Sequence, residues 1–197
     1  MSSVAPSASA TTLQGLLLAH AVQPQAPLWQ ALAGGVAAAI ERHGSGLLPF
    51  PGLGRQATRA LLEAGFPGAG RVLGWDWDAL AERQEPRQDE IDDLTQLLLE
   101  HADPGAGPGL HARGAAWAVA CASLGNDHLW QDMCLPSRRE LSALIAQWFP
   151  TLAAKNTQDM KWKKFFYKQL CEREQLFICK APSCAVCDDR PVCFGPE

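Results

Sequence analysis

Apolar residues recur at helical spacing along most of the chain. Leu13, Leu16 and Leu17 begin the pattern, and Leu28, Leu32, Val36 and Ile40 continue it on one face of a second segment, with Pro24 and Pro27 between the two. Gly34 and Gly35 lower the intrinsic stability of that second helix, and their pairing predicts close helix packing rather than a ligand site. GSGLLPFPGLG at 44–54 has the glycines of a nucleotide loop. It lacks the Lys-Ser/Thr pair that would reach phosphate and follows no strand, so it is predicted to be a plain loop. A short helix over 55–64 ends at Gly65 and Pro67, and RVLGWDWDAL then offers Trp75 and Trp77 to cover a core edge.

Farther on, Ile91, Leu94, Leu97 and Leu98 lie on one face of a helix over 87–101, with acids in its first turns, where the helix dipole favours them. ADPGAGPG at 102–109 breaks the pattern, and an Ala-rich helix over 110–124 follows, with Trp117 and Cys121 one turn apart. Asn126 or Asp127 is a candidate cap for a short helix containing His128, Trp130 and Met133. Ser137 and Glu140 have capping-box spacing ahead of SRRELSALIAQWF, which Pro150 ends. A last helix over 157–174 carries Trp162, Phe165, Phe166 and Leu170 on one side. No segment alternates apolar and polar residues with β-branched enrichment. The expected fold is therefore all-α: a disordered lead-in over 1–12, a compact helical domain over 13–174, and an irregular cysteine-rich metal-binding segment over 175–197.

Composition narrows the function. A chain of 197 residues, 47% of them hydrophobic, can bury one sizeable core, and a net charge of −4 argues against a generic nucleic-acid surface. The opening MSSVAPSASATT lacks the positive charge and apolar stretch of a secretory signal, and no later apolar run reaches bilayer length, so the expected location is cytoplasmic. In a reducing compartment seven cysteines are not a disulfide framework, and four of them fall in the last 19 residues. That clustering points to a metal.

CKAPSCAVCDDRPVC reads C-x4-C-x2-C-x5-C through Cys179, Cys184, Cys187 and Cys193. The two-residue spacing lets one tight turn present two thiolates to a single centre, and the longer arms wrap its other sides. Pro182 and Pro191 stiffen those arms, which reduces the entropy lost on closing around a metal. Four thiolates suit zinc or an iron–sulfur cluster. Structural zinc sites favour two short hairpins separated by a longer insert, so one contiguous array favours the cluster.

Other groups have two readings each. Cys171, eight residues before Cys179, is either a further ligand or a buried thiol. Cys121 and Cys134 lie in apolar helical patterns and read as core residues. His128 and His111 are candidate ligands, although a lone histidine is more often a structural hydrogen-bonding group. Lys161, Lys164 and Lys168 form a basic stripe opposite the aromatic side of the last helix, either a solvated face or an attractor for an oxyanion or acidic partner. No nucleophile elbow or HExxH pattern assembles a hydrolytic site.

NTQDMKWKKFFYKQLCERE, the four-cysteine array and the ending CFGPE together resemble the NifQ family of nitrogen-fixation proteins, as does GNDHLWQDMCLPSRRELSALIAQWFPTLAAKN upstream. The resemblance runs over about residues 120–197. It implies a protein that binds a molybdenum-containing iron–sulfur cluster and supplies molybdenum for the nitrogenase iron–molybdenum cofactor. Such a protein is a carrier, not a turnover enzyme, with molybdate, the assembly scaffold NifEN and the nitrogenase iron protein NifH as implied partners. By position the motif ligands are Cys179, Cys184, Cys187 and Cys193, while Cys134 stands where a small residue is expected. We hypothesise that three motif cysteines hold iron and that molybdenum occupies a more exposed corner, served by the fourth thiolate or by Cys171 or His128. Two other readings are a helical DNA-binding protein with a structural [4Fe-4S] cluster, since helical DNA glycosylases also end in four cysteines, and a zinc-stabilised interaction module.

Overall fold

A computed structural model describes residues 10–82 and 85–173. The four motif cysteines and residues 1–9 of the expected lead-in lie outside the described residues. The described residues form α1 (Ala10–Ala19), α2 (Pro27–His43), α3 (Arg55–Gly65), α4 (Ala69–Val72), α5 (Gln88–Leu99), α6 (Gly109–Ser123), α7 (Leu129–Asp132), α8 (Arg138–Trp148), α9 (Pro150–Ala153) and α10 (Trp162–Arg173). The all-α expectation holds among them. Among the described residues an isolated bridge between Leu47 and Ala81 is the one β-type pairing; it ties the 44–54 loop to the segment that follows Trp77 through Leu48 N–H to Ala81 O at 2.9 Å and Ala81 N–H to Gly46 O at 3.0 Å.

Helix α6 is the hub, packing against α2, α3, α5, α7 and α8. Its sequence explains why: Ala112, Gly114, Ala115, Ala116, Ala118 and Ala120 are all buried, and small side chains let neighbouring helices approach from several directions. Trp117 donates from Nε1 to Pro51 O at 2.7 Å, so the 44–54 loop is pinned to the hub and buries Leu48, Phe50 and Leu53. Among the described residues no helix is long and apolar enough to cross a membrane.

Several boundaries differ from the sequence expectation for local reasons. Helix α1 starts at Ala10, inside the expected lead-in. Pro150 ends α8 and also opens α9 at its first helical position, where its missing N–H is tolerated. Ser137 caps α8 by accepting the Arg139 N–H at 3.1 Å; its hydroxyl donates to the Glu140 carboxylate, so the pair bonds side chain to side chain rather than as a reciprocal capping box. The last helix begins at Trp162 rather than 157. Asn156 accepts the Met160 N–H at 2.9 Å and donates to Met160 O at 3.0 Å, Asp159 adopts φ +50°, and Arg138 grips the Asp159 carboxylate at 2.7 and 2.9 Å. Side-chain bonding of this kind competes with helix formation.

Helix α10 buries Trp162, Phe165, Phe166, Tyr167 and Leu170 and packs on α5. The Tyr167 hydroxyl donates to Glu90, whose carboxylate also accepts from Arg87 at 2.5 and 2.7 Å. Burial, reinforced by Glu90, holds the Tyr167 phenol far above its ordinary pKa.

Candidate functional site

The described part of the site is α10 and the loop packed against its first turn. Lys163 organises that loop. Its Nζ donates to Gly125 O at 2.8 Å, to Asp127 O at 2.7 Å and to the Asp132 carboxylate, with the two side chains only 20% and 17% exposed. Sequence reading overlooked Lys163, because two of its acceptors are main-chain carbonyls that leave no residue-type signal.

His128 sits in this loop. It occupies the N-cap position of α7 expected for Asn126 or Asp127, is exposed, and its N–H donates to Gln131 Oε1 at 3.2 Å. Cys171 is buried in the last turn of α10 at 7% exposure. Eight residues separate it from Lys163, about 12 Å along a helix axis, so the two candidate additional ligands are placed by opposite ends of α10. Among the described residues no group of three or more His, Cys, Asp or Glu side chains has metal-holding geometry. Cys179, Cys184, Cys187 and Cys193 are a donor set whose four soft thiolates fit iron–sulfur ligation. The helix leading toward them is anchored at its end: Arg173 reaches Asp93 at 3.9 Å and Glu100 at 3.6 Å.

The remaining sequence candidates resolve into packing roles. Cys121 is half-buried against the core on α6. Cys134, expected in a helical core pattern, instead lies half-buried in a turn after α7 with φ +53°. Its Cβ packs on α2, where a Cβ built at Gly34 would lie 2.4 Å away; Gly34 therefore serves close packing, although the neighbour is the turn after α7 rather than the helix its sequence suggested. A left-handed backbone favours Gly or Asn, a physical reason for the small residue expected at position 134. Burial, with Asp132 nearby, pushes the Cys134 thiol up, which disfavours the reactive thiolate. His111 packs edge-on to Trp29 and Trp148, ring centroids 4.9 and 6.3 Å away, and burial lowers its pKa.

Of the basic stripe, Lys161 is exposed and Lys164 and Lys168 are half-buried. Lys168 lines a groove together with Lys155 from the turn after α9. Behind Lys155, His101 Nδ1 lies 2.7 Å from Thr151 Oγ1 and its Nε2 lies 3.3 Å from Lys155 Nζ. Both contacts are satisfied by a neutral ring that donates from Nδ1 and accepts at Nε2. Burial and the Lys155 charge lower the His101 pKa accordingly.

Comparison with known proteins extends the relationship well upstream of the residues that first suggested it. The NifQ family model matches residues 31–195. Protein NifQ of Azotobacter vinelandii is 39% identical over 166 residues, covering 80% of this chain and 84% of that protein. The NifQ homolog of Sinorhizobium fredii is 39% identical over 144 residues, 73% of this chain and 60% of the relative. Protein NifQ of Rhodobacter capsulatus is 40% identical over 122 residues, 62% of this chain and 64% of the relative. No solved structure matches. With the match running from the α2 hub contacts through the last motif cysteine, the chain belongs to the NifQ family.

Proposed function

We propose that this protein holds an iron–sulfur cluster through Cys179, Cys184, Cys187 and Cys193 and donates molybdenum for assembly of the nitrogenase iron–molybdenum cofactor. It acts as a carrier rather than an enzyme, receives molybdate and hands its cargo to NifEN with NifH as a further partner. Family membership across a region that includes all four motif cysteines is the observation that carries this reading, and membership implies a role in nitrogen fixation. When bound, the cluster supplies a soft sulfide and thiolate environment for molybdenum. The chain's own contribution is the thiolate set, with Cys171 and His128 as candidate additional ligands, and a helical platform whose last helix is fixed at both ends.

The test is iron, sulfide and molybdenum content of anaerobically purified protein, with electron paramagnetic resonance, for the parent and for each single Cys→Ala variant. The expected result is iron and sulfide in the parent and loss of iron in every motif variant. Molybdenum should fall disproportionately in one motif variant or on substitution of Cys171 or His128. A colourless protein with zinc and no iron supports the zinc module instead, and a salt-dependent shift of duplex DNA supports the DNA-binding reading. Equal loss of iron and molybdenum from every variant refutes a distinct molybdenum corner.

A further inference from the structure

The turn from Lys155 to Met160 and the adjoining side of α10 enclose a groove of about 390 Å³. Polar residues from both elements line it, Lys155, Thr157 and Gln158 from the turn and Lys168, Gln169 and Glu172 from the helix, together with Met160 and Phe165. Two lysines against one glutamate leave this concave patch positive on a chain whose net charge is −4. From this geometry we propose that the groove binds a tetrahedral oxyanion, and that its ligand is molybdate before incorporation.

Side chains with ammonium, amide and hydroxyl donors are contributed by both elements, a donor set that suits an anion with acceptors in four directions. At about 30 Å³ per water, the groove admits a small oxyanion with part of its hydration shell. The turn wall is preorganised. Asn156 closes it through both bonds to the Met160 backbone, Arg138 clamps it through Asp159, and His101 holds Lys155 from behind. An ordered wall loses less entropy on binding. Glu172 is the opposing group: its carboxylate lies 3.9 Å from Lys168 Nζ and accepts from Gln169 Nε2 at 2.6 Å. An arriving anion competes with Glu172 for Lys168, so binding is reversible and adjustable at that position. Glu172 is also seven residues before Cys179, which puts the groove next in sequence to the thiolates that the cargo must reach. The choice of molybdate among oxyanions rests on the function proposed above; the groove's preference for an oxyanion does not.

Calorimetric titration of the full chain with sodium molybdate, tungstate, sulfate and phosphate tests the proposal, with circular dichroism to confirm that each variant is folded. Molybdate and tungstate should bind saturably, one per chain. Lys155→Ala/Lys168→Ala should weaken that binding about tenfold or more, and Glu172→Gln should tighten it about threefold, as expected for removing charges within a few ångströms of a dianion. Lys161→Ala, one of the α10-side lysines but outside the groove lining, should leave it unchanged. Affinity untouched by the double lysine substitution, or weakened as much by Lys161→Ala, overturns the groove. Equal binding of sulfate or phosphate overturns the molybdate assignment. Failure of the two ideas is separable: an iron-free protein that still binds molybdate through the lysines refutes the cluster, whereas an iron- and molybdenum-loaded protein indifferent to the lysines refutes the groove.

Discussion

Replacing Lys163 with Met removes an ammonium that serves three acceptors at once. The Asp132 carboxylate then loses its counter-charge at 17% side-chain exposure, and the carbonyls of Gly125 and Asp127 lose donors at 2.8 and 2.7 Å. Breaking a fully buried ion pair costs about 3–5 kcal/mol, and an exposed pair contributes about 0–1 kcal/mol. With both groups roughly one-fifth exposed, and with the freed carbonyls able to turn toward water, the expected cost is about 2–3 kcal/mol. For a chain of this length that lowers Tm by about 5–10 °C.

Urea denaturation followed by far-ultraviolet circular dichroism measures the loss, and an unchanged m-value assigns it to the native state. Asp132→Asn in the Lys163→Met background should cost clearly less than Asp132→Asn alone, because the two residues act as a unit. Amide exchange should localise the effect: the Gln131 and Asp132 N–H groups, both bonded to His128 O, should exchange faster, while the buried centre of α6 changes only by the global amount. A loss under about 0.5 kcal/mol, the range of a surface ion pair, refutes the claim that Lys163 holds the loop carrying His128.

Two further substitutions probe the packing around the same loop. Gly34→Ala should destabilise by about 1–3 kcal/mol through overpacking, since its Cβ would fall 2.4 Å from the Cys134 Cβ. Cys134→Gly should rescue it in a urea titration, because it removes the clashing atom and relaxes a φ of +53°; an additive double variant refutes the contact. Because burial lowers the folded-state pKa of His111, the unfolded chain takes up the proton first. Stability is therefore unaffected by this group above the unfolded histidine value of about 6.5 and is lost as pH falls from there toward the folded pKa. His111→Gln should flatten part of the fall in Tm between about pH 7 and 5, and an unchanged slope rules out the burial argument.

What the sequence made legible depended on how local each cause was. Helices α2, α3, α5, α6 and α8 announce themselves through apolar periodicity and nearby breakers, because the stripe and the stop signal lie in one stretch of chain. The start of α10 was misplaced because Asn156 diverts the backbone by bonding Met160, and Arg138 holds Asp159 from 21 residues away. The left-handed turn at Cys134 was hidden inside an apolar run, with its accommodating partner, Gly34, on α2. The cysteine array is the opposite case. Its four cysteines lie within fifteen residues, so spacing alone suggested a metal or cluster site, whereas the groove joins Lys168 to Lys155 from a separate turn and needed the fold to become visible.

The three attachments of α10 bear on the proposed carrier role. Lys163 fixes its first turn to the 125–132 loop, Tyr167 locks its middle to Glu90 and Arg87 at the start of α5, and Arg173 ties its end to Asp93 and Glu100. A hydrophobic face alone tolerates sliding by a turn, because one apolar contact resembles another. A buried phenol with a single carboxylate partner does not, since any slip leaves polar groups desolvated and unpaired. Tyr167 thus sets the register of α10 on α5, and with it the position of the groove wall at Lys168 and Glu172 relative to the rest of the helical domain. For the proposed transfer of an oxyanion toward thiolates, that fixed origin matters more than added stability, because Cys179 follows Glu172 by only seven residues in the sequence.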